Sequence, residues 1–145
     1  MPEDYRDSQI TILNDPDSIQ EHRIQALFQL MNIADDKSLD AIYKSLEEDP
    51  CEIVRHEAAF VLGETAARDA IEPLKKAIEK DESLIVKHES LLALGTIADK
   101  DIIDYLKSKL NDENKLVSES AKIALQRIEI IEEPYRGPDQ FKHLK

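Results

Sequence analysis

Four segments of this chain repeat one another at a nearly constant spacing, and that period limits its architecture more than any other feature. The segments are Ile24-Gln25-Ala26-Leu27-Phe28-Gln29-Leu30, His56-Glu57-Ala58-Ala59-Phe60-Val61-Leu62, His88-Glu89-Ser90-Leu91-Leu92-Ala93-Leu94 and Glu119-Ser120-Ala121-Lys122-Ile123-Ala124-Leu125. Their first residues stand at 24, 56, 88 and 119, so the spacings are 32, 32 and 31. A unit this short cannot bury its own apolar face, and only stacking on its neighbours gives a continuous core. Composition says what the unit is made of. The chain has no Trp, 3 Gly and 5% aromatic residues, and Ala, Leu, Ile, Glu and Lys dominate. These are helix formers rather than strand formers.

Each unit holds two helical patterns. The spacing predicts outer helices near 4–13, 36–48, 68–80 and 99–110, and inner helices near 17–33, 51–65, 84–97 and 114–131. In the second inner helix Val54, Ala58, Val61, Leu62 and Thr65 share one face. Asp49, Pro50 and Glu52 read as the capped start of that helix, with Asp81 and Asp112 at similar starts. The expected fold is all-α, an αα-superhelix of about four HEAT-like helical hairpins over residues 1–131. Residues 132–145, with Pro134, Gly137 and Pro138, break the pattern and read as an extended C-terminal tail, docked or disordered.

The formal net charge is −12, from 31 acidic against 19 basic residues. Such a surface repels nucleic acid and anionic membranes and attracts a basic protein. The lone cysteine, Cys51, allows no disulfide within one chain. Met1-Pro2-Glu3-Asp4 carries neither a basic region nor an apolar run, and no apolar stretch approaches the ~20 residues needed to span a bilayer. A soluble, cytoplasmic protein is expected.

Two of the four histidines, His56 and His88, hold the same position in consecutive units, and each is followed by a glutamate, Glu57 and Glu89. Val54-Arg55 and Val86-Lys87 precede them in the same register, whereas the outer units carry Ile24-Gln25 and Glu119-Ser120 there. The fold therefore does not require His-Glu at this position. At ~100° per residue His56 lies opposite the Val54/Ala58/Val61/Leu62 face, directed at the surface lined by the inner helices. Ala59 and Gly63 fall on the same side, and Gly95 stands correspondingly behind His88. Glycine costs ~1 kcal/mol in a helix. Its placement suggests either that room is needed there or that the helices end there. Neighbouring helices pack ~8–10 Å apart, close enough for two imidazoles leaning towards each other to meet one ion. Two histidines with one or two carboxylates form the ligand set of a non-haem iron(II) centre, and zinc takes similar ligands. Neither pair is His-Glu-x-x-His, since residues 60 and 92 are Phe60 and Leu92.

At these residues the chain resembles the deoxyhypusine hydroxylase family. The matching stretches are Arg55-His56-Glu57-Ala58-Ala59-Phe60-Val61-Leu62-Gly63-Glu64 and Lys87-His88-Glu89-Ser90-Leu91-Leu92-Ala93-Leu94-Gly95-Thr96-Ile97. The resemblance covers roughly residues 10–130. It implies a HEAT-repeat di-iron monooxygenase with two such halves, of which this chain resembles one. His56, His88 and Glu89 would then hold one iron. Glu57 would face the substrate as the catalytic carboxylate or complete the metal set His56, Glu57, His88 and Glu89. Two irons per homodimer would rebuild the centre, with two facing copies related by a two-fold axis. The implied reaction is oxygen-dependent hydroxylation of a modified lysine on a translation factor carrying deoxyhypusine, a basic substrate that Glu57 and Glu119 could help meet. The other expectation is a metal-free HEAT-repeat scaffold that binds a protein along its inner face.

Overall fold

The computed structural model describes residues 2–132, with side chains over 3–129. Among the described residues there are eight α-helices. They are α1 (Pro2–Asn14), α2 (Gln20–Ile33), α3 (Asp36–Glu48), α4 (Glu52–Thr65), α5 (Ile71–Lys80), α6 (Leu84–Ile97), α7 (Ile103–Ser108) and α8 (Lys115–Glu132). Short 3-10 turns, Arg68–Ala70 and Lys100–Ile102, lead into α5 and α7. Successive helices pair as hairpins. The even-numbered helices stack into one row, α4 between α2 and α6, and α6 against α8; the odd-numbered helices form the outer row. The fold is thus the α-solenoid that the period dictates. The expected C-terminal tail lies outside the described residues.

The core runs between the two rows. Leu27, Leu30, Ile42, Leu46, Val54, Leu62, Leu74, Leu91, Leu94, Ile102, Leu106 and Ile128 are its largest fully buried side chains. Val54, Ala58, Val61 and Leu62 are all buried, as their shared face requires. Pro73 is tolerated in α5 because it stands in the first turn, where its missing N–H has no helical partner to lose.

Two details of this frame differ from expectation. Asp49 does not cap α4. That helix starts at Glu52 after Cys51, and Pro50 lies outside it. The Asp49 carboxylate instead closes the turn between α3 and α4, its Oδ1 accepting from the Cys51 N–H at 2.9 Å. Asp81 and Asp112 make the same turn with the N–H groups of Ser83 and Asn114. A short acidic side chain that bonds the backbone two residues on favours a turn over a helix start. Glu52 reaches the next repeat, where its Oε2 accepts from Ser83 Oγ at 2.7 Å.

The glycines neither open a space nor end a helix. A Cβ on Gly63 would lie 2.9 Å from Ala93 Cα, and one on Gly95 only 2.7 Å from Ala124 Cα. Both glycines, and Ala59 with them, are buried where the inner helices approach each other. The helices α2, α4 and α6 end one turn later on Ala34, Ala66 and Ala98, each left-handed with φ of 52°, 54° and 58°.

Candidate functional site

The residue that precedes His56 anchors its helix, in a pairing already seen one unit earlier. Arg23, Nε 2.9 Å from Asp49 Oδ2, is buried with its partner, their side chains 5% and 3% exposed. Arg55 repeats this pairing one unit on: its Nε and Nη2 meet the Asp81 carboxylate at 2.9 and 3.1 Å. Its Nη1 also donates to the Asp49 carbonyl at 2.9 Å. Asp81 is the leading cause that raises the Arg55 pKa above its ordinary value. The first turn of α4 is thereby tied to the turns on both sides of it, and His56 is the next residue. In the sequence Arg55 stands out only as a flank of His56. The signal was the doubled spacing, Arg23 to Asp49 and Arg55 to Asp81, each 26 residues.

His56 sits between two carboxylates. Its Nδ1 lies 3.5 Å from Glu57 Oε1, and its Nε2 lies 3.1 Å from Glu89 Oε2. The side chains of His56, Glu57 and Glu89 are 28%, 25% and 14% exposed, so the cluster faces the inner surface but is largely shielded. Three of the four expected residues are thus together. The fourth, His88, is held elsewhere: its Nδ1 lies 2.6 Å from Ser120 Oγ of α8. The two imidazoles were expected to lean towards each other. Instead each is engaged by the next inner helix, α6 for His56 and α8 for His88. The cause is the stagger between neighbouring helices, which brings the residue after the His position of one unit against the His of the unit before. That residue is Glu89 in α6 and Ser120 in α8.

Around this row the inner helices expose apolar side chains. Ile53, Phe60, Leu84, Ile85, Leu116 and Ile123 are each at least 36% exposed. Phe60 lies one turn beyond His56 and packs against Phe28 of α2, with ring centroids 6.2 Å apart. The inner row thus presents imidazole and carboxylate groups together with large exposed apolar side chains.

Among the described residues, no group of three or more His, Cys, Asp or Glu side chains is already arranged to hold a metal ion. The chemistry of the cluster nevertheless fits one. Imidazole nitrogens beside carboxylate oxygens are the donors that iron and zinc take.

Fold and site together define an α-solenoid of helical hairpins with an imidazole–carboxylate cluster on its inner row. Residues 9–91, 39–126 and 71–145 match the family model for HEAT repeats, and the chain belongs to that family. It is similar to human deoxyhypusine hydroxylase, solved in complex with glycerol, with a TM-score of 0.85 and 28% identity. The match covers 94% of this chain and 49% of that one, so the chain spans about half the length of the human enzyme. No curated protein matches. Among the described residues, no helix is long and apolar enough to cross a membrane.

Proposed function

We propose that this chain is a non-haem iron protein of deoxyhypusine-hydroxylase type, in which two copies face each other to complete a di-iron centre. The observation that carries this reading is the contact of His56 with Glu89 across the inner row, at a position where His-Glu recurs in register. The likeness of the whole chain to half of deoxyhypusine hydroxylase supports it. His56, His88 and Glu89 would hold one iron per chain, with zinc as the competing metal. When bound, the iron pair supplies the oxygen chemistry of hydroxylation.

The chain's own residues do the rest. Glu57, 25% exposed beside His56, offers a carboxylate to the amine of a modified lysine. Glu119, in the His register of the fourth unit, adds a second negative charge. The formal net charge of −12 draws a basic translation factor carrying deoxyhypusine towards this face. The exposed apolar groups around the row exclude water when the second copy or the substrate covers them. One cysteine suits a reducing, cytoplasmic setting.

A second reading has its own support: Glu57 and Glu89 already flank His56 without an ion, which suits a metal-free scaffold that binds a protein along the apolar inner face. Metal content and oligomeric mass separate the two, measured on protein purified without chelators or a histidine tag. The enzyme reading expects about one iron per chain in a dimer. It also expects His56→Ala and His88→Ala to lose the metal while retaining their helicity. A monomer that stays metal-free after anaerobic iron addition leaves the scaffold.

A further inference from the structure

The two register-matched histidines are not chemically equivalent. His56 turns Nε2 towards Glu89, whereas His88 turns Nδ1 towards Ser120. Ser120 is 1% exposed and lies on α8, across the helix interface from His88. Its Oγ makes two close contacts, 2.6 Å to His88 Nδ1 and 2.6 Å to the Leu116 carbonyl oxygen. Neither contact is tolerable between bare lone pairs, so each needs a hydrogen between its two atoms. The serine hydroxyl carries one hydrogen, and a carbonyl oxygen brings none. Leu116 therefore takes the hydroxyl hydrogen, in the back-bond to the residue four before that serine commonly makes in a helix. The hydrogen of the other contact comes from the imidazole.

We propose that Ser120 is a positioning residue for His88: it accepts the Nδ1 proton, fixes the neutral ring as the Nδ1–H tautomer, and leaves Nε2 as the ring's single electron-pair donor. The same position in the preceding unit is Glu89, whose carboxylate is itself a candidate ligand. Ser120 cannot serve as such a ligand, and its hydroxyl orients the ring instead. Where the iron reading holds, His88 ligates through Nε2 with Ser120 as the outer partner that sets its orientation, the arrangement that metal-binding histidines generally need.

Long-range proton–nitrogen correlation on the metal-free, nitrogen-15-labelled full chain reads the tautomer directly. At about pH 8.5 an ordinary histidine is neutral. We expect His88, assigned by the loss of its signals in His88→Gln, to show a protonated Nδ1 and an unprotonated Nε2. Ser120→Ala should shift the ring towards the Nε2–H form, and Ser120→Thr, which keeps a hydroxyl, should restore the first pattern. An Nε2–H ring in the unmodified chain overturns the proposal without any variant. So does a Ser120→Ala spectrum that leaves the ring unchanged. Added anaerobically, iron(II) should bind Ser120→Ala about 10–100-fold more weakly. Equal affinity of the two chains removes the link from Ser120 to the metal. If the unmodified chain binds no iron at all, the iron reading fails, and the tautomer stands or falls on its own spectrum.

Discussion

At the scale of single residues, close approach decides what each position tolerates. Gly63 and Gly95 face the backbone of the next inner helix, and backbone atoms cannot swing aside as the end of a side chain can. Alanine is the better helix former by ~1 kcal/mol, yet a Cβ at Gly95 would lie 2.7 Å from Ala124 Cα and 2.9 Å from its carbonyl oxygen. We expect Gly95→Ala to destabilise the chain by about 1–3 kcal/mol, the usual cost of overpacking. Gly63→Ala should cost less, and urea unfolding measures both. A stabilised Gly95→Ala would mean that the helices are not held this closely. The opposite holds at Ala66, whose φ is 54°. A left-handed alanine costs ~1–2 kcal/mol, partly offset when glycine loses more chain entropy on folding. Ala66→Gly should therefore be neutral or stabilising by up to about 1 kcal/mol in the same assay.

At the scale of helices and turns, the acidic residues between units tie the stack together, and their burial sets their importance. Arg23→Met leaves Asp49 buried without its cation. That should destabilise by about 3–5 kcal/mol, as breaking a buried pair does. Lys76→Ala removes an ion pair with Glu47 in which the side chains are 58% and 53% exposed, and should change stability by no more than about 1 kcal/mol. Equal losses in chemical denaturation would contradict the burial argument. Asp35 caps α3 by accepting from the Ser38 N–H at 2.9 Å, and it also meets Arg6 of α1 at 2.7 Å. Hydrogen bonding from Ser38, then from Arg6, holds its carboxyl down at about 2. The unfolded value is ~3.9, so this stabilisation is present above about pH 4 and is lost as pH falls through about 2. Asp35→Ala should cost about 1 kcal/mol at pH 7. Its gap from the unmodified chain should close near pH 2, and thermal melts at the two pH values test this.

At the scale of the whole molecule, charge and period act together. The formal net charge of −12 makes the folded chain repel itself, and salt shortens the reach of that repulsion from ~30 Å at 0.01 M to ~8 Å at 0.15 M. We expect the melting temperature to rise between those salt concentrations; a fall would show that favourable ion pairs outweigh the net repulsion. The solenoid and its helix pairs were legible because both follow from local rules: a 32-residue period, helix-forming composition and apolar residues on one face. The in-register recurrence of His56-Glu57 and His88-Glu89, and their direction towards the inner row, were legible from helical geometry alone. What lies across a helix interface was not. Asp49 reads as a helix cap until Arg23 is brought to it, and the glycines read as open space or as helix ends until Ala93 and Ala124 close on them. Ser120 reads only as the residue that stands, with Glu119, where the middle units carry His-Glu, until α8 is laid beside α6. Periodicity specifies which face of a helix looks at its neighbour, a property of a few consecutive residues. The stagger between two helices is settled by how all of their side chains pack, and that stagger, found only in the tertiary structure, gives His56 a carboxylate and His88 a hydroxyl.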